Sequence, residues 1–320
     1  MVKVSIIIPV KEINEYVKNF VPIILKQKYR NFEILIIPDK KTKEKFEKTR
    51  IIPSGETGPA QKRDLGVKKA KGEIIAFIDD DAYPEHGWIE NALYEFRDKN
   101  TAIVGGPNIT PEESNFFQKL SGEVLSSYMI SGPVFYRYKK SKRRFSQDLP
   151  SCNLFVRKKI FEKVRGFDTS FWPGEDTKFC LDVLSLGKKI VYSPEVLVYH
   201  HRRKDILSYI DQIFNYSMHR GFFCKKYPET SFRLSYFIPS VFLLFLIFGG
   251  LFSLFHQYIA FFYFAILAIY LILLFIESIK TKKLWMMLPF ILLSFITHLT
   301  YGIGFLVGIF RKNFKSSYLS

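Results

Sequence analysis

Cysteine is scarce in this chain of 320 residues: Cys152, Cys180 and Cys224, an odd number with no C-x-x-C spacing. That argues against a disulfide framework and a zinc ribbon, and it fits a reducing compartment. There is no G-x-x-x-x-G-K-[ST] loop and no G-x-G-x-x-G after the first strand-like segment, so a P-loop NTPase and a dinucleotide-binding Rossmann domain are poor readings. Nor is there a G-x-S-x-G or an H-E-x-x-H, which disfavours serine hydrolase and zinc protease chemistry. Charge is missing from two long stretches, between Arg233 and Glu277 and between Lys283 and Arg311. Such runs do not belong to a wholly soluble protein. Acidic residues are outnumbered, 30 against 47 basic ones, for a formal charge of +17. Disorder is excluded by what is abundant, 48% hydrophobic and 17% aromatic residues.

The uncharged stretches hold three apolar segments, near 236–255, 258–276 and 285–310. A helix of about 20 residues crosses the hydrocarbon core, so the first two form a helical hairpin turning at His256-Gln257. Runs this long and uncharged argue against a pair of buried core helices. Tyr236, Tyr258 and Trp285 fall where interfacial aromatics are expected. Lys225, Lys226 and Arg233 precede the first segment, and Lys280, Lys282 and Lys283 follow the second, so both places are expected on the cytoplasmic side. Three full crossings would put Arg311, Lys312 and Lys315 outside, against the same rule. The third segment, with His298, Gly302, Gly304 and Gly308, therefore admits a bent or re-entrant course as well as a straight one. Asp205–Arg220 carries apolar residues at helical spacing between basic clusters. It reads either as a helix lying on the membrane or as an ordinary surface helix. The basic excess suits anionic lipid heads, and no nucleic-acid-binding motif competes for it.

The N-terminus begins with a strand-like run too short for a signal peptide, so this part is expected in the cytosol. Strand-like runs at Val4–Pro9, Phe32–Ile37, Arg50–Ile52, Glu73–Ile78 and Ala102–Val104 alternate with helical patterns at about Asn14–Gln27, Pro59–Lys71 and Pro84–Lys99. This is an α/β pattern: a mainly parallel sheet with helices on both faces, followed by a C-terminal helical transmembrane region. Ligands of such sheets sit beyond the C-terminal strand ends. Asp39 follows one strand there and Asp79-Asp80-Asp81 ends another. Three adjacent carboxylates repel one another unless a cation is present, and Mg²⁺ or Mn²⁺ takes such oxygen ligands. A solvated acidic turn is the plainer alternative. Glu175 and Asp176 open a helix and suit either N-terminal capping or acid–base chemistry. The stretch 107–147 fits no regular pattern and reads as a flap, a lipid contact or a plain loop.

Five blocks occur in order: VSIIIPVKE at 4–12, EILIIPD at 33–39, GPAQKRDLGVKKAKGEIIAFIDDDAYP at 58–84, CNLFVRKKIFEKVRGFD at 152–168 and PGEDTKFCLDVLSLGKKIVYSPEVLVYHH at 173–201. Together they resemble the family 2 glycosyltransferases, which have the GT-A fold. HLTYGIGFLVG at 298–308 is similar to the membrane segment of the succinoglycan-biosynthesis branch. The resemblance implies that Asp79 and Asp81 form the D-x-D metal site, with Asp79 or Asp80 near the ribose and His200 at the metal or diphosphate. It also implies Asp39 and Pro9 at the base, Arg63 near the nucleotide and Asp176 of the Glu175-Asp176 pair as general base. Pro38-Asp39-Lys40-Lys41 departs from the usual acidic pair and Gly-Ser, and Asp64 stands where asparagine is common. The Q-x-x-R-W signature of processive relatives is absent after Gln212.

The expectation is an inverting, metal-dependent transferase. It would use a nucleotide-diphosphate sugar and a lipid-linked or growing glycan acceptor at the cytosolic face of the cell membrane. It divides the chain into a catalytic domain at 1–203, an interfacial helix and linker at 204–233 and a transmembrane region at 234–320. A nucleotidyltransferase and a catalytically silent membrane scaffold are the alternatives.

Overall fold

The structure, a computed structural model, describes residues 2–313, so Lys315 lies outside it. The strands are β1 (Val4–Pro9), β2 (Phe32–Ile37), β3 (Thr49–Ile51), β4 (Ile74–Ile78), β5 (Ala82–Pro84), β6 (Thr101–Gly105), β7 (Asn108–Ile109), β8 (Arg144–Phe145), β9 (Asn153–Arg157), β10 (Lys189–Tyr192) and β11 (Val198–His200). Every residue of β1, β2 and β4 is buried, which is why they read as continuous apolar runs. The larger sheet has the order β3-β2-β1-β4-β9-β6-β10-β8, and a smaller one has β5-β11-β7. β1 pairs in parallel with β2 and β4, whereas β9 enters antiparallel between β4 and β6.

Alternation along β1 splits the core. Ile6 and Ile8 join Val17, Val21 and Ile24 of helix Glu15–Leu25 and Trp88 and Ile89 of helix Trp88–Glu95. Ile7 points the other way, where its side chain would lie 2.6 Å from any Cβ on Gly66 of helix Pro59–Lys69. Both faces of the sheet are thus covered. The helix expected over 84–99 is shorter, because Ala82–Pro84 pairs with β11 instead.

The segment 107–147 differs from its irregular reading. Helix Phe116–Ser126 runs through it, opened by a reciprocal capping box between Asn115 and Gln118. Its buried face includes Gln118, Ser121 and Gly122, so the apolar period is weak in the sequence. The basic stretch is tied down too: Arg143 forks onto Glu95 at 2.8–3.1 Å, and Lys140 faces Glu195 at 3.6 Å.

Two compact units result. One is built from residues 2–111 and Lys139–His201, the other from Glu112–Tyr138 and residues 202–313. Among the described residues, the second holds three helices long and apolar enough to cross a membrane, Leu234–Ser253, Gln257–Ile279 and Leu284–Phe310. It also holds Ile206–Lys226, N-capped by Asp205. That helix packs backbone to backbone on Leu284–Phe310: a Cβ on Gly304 would meet Ser217 Oγ at 2.0 Å, and one on Gly308 would meet Met218 O at 2.0 Å. The third apolar segment is helical throughout Leu284–Phe310, and its Gly304 and Gly308 serve this approach, while Gly302 faces Pro239 of the first apolar helix.

Candidate active site

The parallel register sets Pro9 opposite Ile37, so β1, β2 and β4 end along one edge of the sheet. Pro9 itself is buried as the last residue of β1. Just beyond, Asp39 N–H donates to Lys11 O at 3.0 Å. The Asp39 carboxylate pairs with Lys62, whose Nζ also donates to Val10 O at 2.7 Å. Lys62 is only 5% exposed. It reaches the loops after both β1 and β2 from the first turn of helix Pro59–Lys69.

The next residue, Arg63, serves the other side. It is 3% exposed and donates to Asp79 Oδ1 at 2.7 Å and to Glu175 Oε1 at 3.2 Å. Burial pulls its pKa down, but the Asp79 and Glu175 carboxylates outweigh that and raise it. One guanidinium therefore clamps the end of β4 to the start of helix Glu175–Ser185. That helix follows Gly174 at φ +122°, a conformation that favours glycine. Burial, then the neighbouring Asp176, push the Glu175 pKa well up against the pull of Arg63. Asp176 is less buried and its Oδ1 accepts the Thr177 N–H at 2.7 Å, a local cap.

The acidic triplet is divided by the chain's turn. Asp80 goes to Asn14, whose Nδ2 donates at 2.5 Å. Burial, with Asp81 and Asp79 adding repulsion, raises the Asp80 pKa to about 6. Asp79 and Asp81 instead converge with His200, all three offering ligand atoms within 4.8 Å of one another. His200 Nε2 lies 3.0 Å from Asp81 Oδ1. The antiparallel pairing of β11 with β5 sets His200 opposite Ala82, and His201 N–H donates to Asp81 O. His201 faces the other way, against Tyr16, Phe20 and Tyr83. Two carboxylates and one imidazole are a donor set that fits Mn²⁺ and accommodates Mg²⁺.

The structure thus brings Asp79, Asp81 and His200 into one cluster. Arg63 joins Asp79 to Glu175, Asp176 follows Glu175 in the chain, and Asp39 and Asp80 are held by Lys62 and Asn14. Those last two partners were not singled out in the sequence. Asn14 carries a signal as the N-cap of helix Glu15–Leu25, where its Oδ1 accepts from Val17 N–H. Lys62 carries none, because a lysine beside an arginine reads as solvated until the helix face is known.

A GT-A-type α/β sheet with an acid–histidine cluster at its strand ends defines a class of sugar-transferring proteins. The family model described as glycosyl transferase family 2 matches residues 5–165, half of the chain. The chain belongs to that family and is a glycosyltransferase. Over 332 residues it is 25% identical to the dolichyl N-acetyl-alpha-D-glucosaminyl phosphate 3-beta-D-2,3-diacetamido-2,3-dideoxy-beta-D-glucuronosyltransferase of Methanococcus voltae, covering 97% of this chain and 98% of that one. Glycosyltransferase GlyG of Streptococcus pneumoniae serotype 4 is 25% identical over 218 residues, 62% of this chain and 71% of its own. Among solved structures, the mannosyltransferase PcManGT from Pyrobaculum calidifontis, in complex with GDP-Man and Mn²⁺, aligns with a TM-score of 0.51 at 15% identity. That alignment covers 68% of this chain and 61% of the other, a likeness of fold.

Proposed function

We propose that this chain is an inverting, metal-dependent glycosyltransferase that moves a sugar from a nucleotide-diphosphate donor to a lipid-linked acceptor. It works at the cytosolic face of a cell membrane that it crosses more than once. One observation carries this reading: Asp79, Asp81 and His200 cluster at the sheet edge where Arg63 ties Asp79 to Glu175, next to Asp176. The Methanococcus relative is named for transfer to a dolichyl-phosphate-linked sugar, which supports the lipid-linked acceptor. The GDP-Man and Mn²⁺ of the structural neighbour support the donor class and the ion. Cationic residues at both cytoplasm-assigned flanks of the hairpin support the orientation.

In this reading Asp176 accepts the proton of the acceptor hydroxyl. The hydroxyl oxygen bonds to the anomeric carbon as the bond from that carbon to the diphosphate breaks, and a nucleoside diphosphate leaves. A single displacement inverts configuration. Asp79, Asp81 and His200 would hold the divalent ion, whose chemistry when bound is to offset charge on the diphosphate. Arg63 and Glu175 position Asp79 and the helix that carries Asp176. Asp39 contacts the base above Pro9, and Asp80 lies near the ribose.

The test is Asp176→Asn in the full-length enzyme. Turnover should fall by about 10²–10⁴-fold, the share usual for a general base, with nucleotide affinity retained. Unchanged turnover would remove Asp176 from the chemistry, and absence of any turnover in the unaltered enzyme would favour a scaffold. Release of inorganic pyrophosphate instead of a nucleoside diphosphate would make the chain a nucleotidyltransferase. Activity on water-soluble acceptors alone would overturn the lipid-linked assignment.

A further inference from the structure

Sidedness poses a problem for the third apolar helix. If Leu284–Phe310 crossed the bilayer, Arg311 and Lys312 would lie opposite every other basic flank of the region. Contacts within the helical unit give it a different course. The rings of Phe295 and His298 meet Phe242 at 6.3 and 6.4 Å. Further along, Gly302 O accepts from Ser240 Oγ at 3.0 Å, and Phe305 meets Phe237 at 5.0 Å. Advancing toward its C-terminus, the third helix therefore retreats along the first one toward that helix's own beginning. It ends with Lys225 Nζ donating to Arg311 O at 2.9 Å, and Lys225 precedes the first span.

Its beginning is tied to the same end of the hairpin. Only Lys280–Lys283 separate Leu284 from Ile279, where the second span finishes. Tyr270 of that span packs on Phe295 and His298, at 6.3 and 5.9 Å. Suppose the third helix lay along the hairpin axis in the direction these contacts require. Leu284 would then sit about 16 Å beyond Phe295, and Ile279 about 14 Å behind Tyr270, a gap of about 30 Å. The five Cα steps from Ile279 to Leu284 reach about 18 Å at most. A crosswise helix removes the conflict.

We infer that only Leu234–Ser253 and Gln257–Ile279 cross the membrane. Leu284–Phe310 lies across the base of that hairpin in the membrane–water boundary, with both ends on one side. Its partner is the headgroup and upper acyl layer of a single leaflet. Exposed Trp285, Leu288, Leu292, Ile303, Val307 and Phe310 recur on one helical face. Lys282, Lys283, Arg311 and Lys312 at the two ends match anionic headgroups. Residues on the other side of the same helix, Phe290, Leu293, Thr297 and Phe305, are buried within the unit. This surface needs only membrane association and does not depend on the transfer chemistry.

Single cysteines test it in the full-length protein, in sealed vesicles of one orientation, against a background in which the three native cysteines are buried. A membrane-impermeant maleimide should label Lys282→Cys and Lys312→Cys from the same side and Gln257→Cys, at the hairpin turn, from the other. Labelling of Lys312→Cys from the same side as Gln257→Cys would overturn the inference. Depth gives a second readout that does not need maleimide access. A fluorophore on Leu292→Cys should be quenched by lipids with a nitroxide near the headgroup, and preferential quenching from the bilayer centre would establish a crossing helix.

Discussion

Asp64 is a carboxylate in a place made for a neutral group. It accepts the Phe167 N–H at 3.1 Å, and burial raises its pKa to about 6. The raised value means the folded state holds the proton more tightly than the unfolded one. Stability from this site is therefore full below the unfolded value near 4 and is lost as pH rises to about 6. Asp64→Asn keeps an acceptor for Phe167 and removes the buried charge. It should raise stability by up to about 3 kcal/mol at pH 7 and by almost nothing at pH 3.5, two pKa units at 1.36 kcal/mol each. Thermal unfolding at the two pH values checks this, and a gain equal at both would exclude ionisation as the cause. The ion pair of Lys62 with Asp39 has the opposite logic. Lys62→Met strands a nearly buried carboxylate and should cost about 3–5 kcal/mol, while Lys62→Met with Asp39→Asn should cost less than Lys62→Met alone. Nucleoside diphosphate titration of the same variants should show affinity falling with Lys62→Met, because the carboxylate is no longer held. At this scale the sequence offered residue types at strand ends, which is where Asp39 and Asp79–Asp81 were read. It did not offer partners, since which face of helix Pro59–Lys69 carries Lys62 depends on packing.

Elements were legible where one physical signal dominated. β1, β2 and β4 are buried on both faces and so are uninterrupted apolar runs, while helix Pro59–Lys69 opens on Gly58-Pro59 and needs no periodicity to be seen. Helix Phe116–Ser126 was missed because small and polar residues line its buried face. The antiparallel entry of β9 could not be seen because five residues carry no sign of direction. Glycines in the third apolar helix were read as bending signals, yet Gly304 and Gly308, four apart, are approach points for Ile206–Lys226. Gly308→Leu should therefore force the two helices apart against Met218 O and lower stability by about 1–3 kcal/mol, as overpacking does. Val307→Leu, one residue away on an exposed face, should change it by less than about 0.5 kcal/mol. Unfolding in detergent or lipid nanodiscs measures both, and equal effects would deny the close approach.

At the scale of the molecule, the apolar helices were visible as uncharged runs after Arg233 and Lys283. The discontinuity was not, because Glu112–Tyr138 leaves the α/β unit to join the helices and nothing in its composition resembles them. The acid–histidine cluster belongs to this scale, since Asp79 and Asp81 sit in the turn between β4 and β5 while His200 ends β11, far along the chain. A cation bound by all three would join segments that the unfolded chain keeps apart, so its binding free energy becomes stability of the α/β unit. Mn²⁺ at a hundred times its dissociation constant should contribute about 2.7 kcal/mol. For a unit of this size that is a rise of about 5–10 °C in the unfolding midpoint. Asp81→Asn should abolish the rise, because it deletes the carboxylate closest to His200, and His200→Ala should lose most of it. Scanning calorimetry with and without Mn²⁺, followed by chelation, reads the effect without any sugar donor. A rise that persists in Asp81→Asn would place the ion elsewhere, and transfer that survives chelation would remove it from the chemistry.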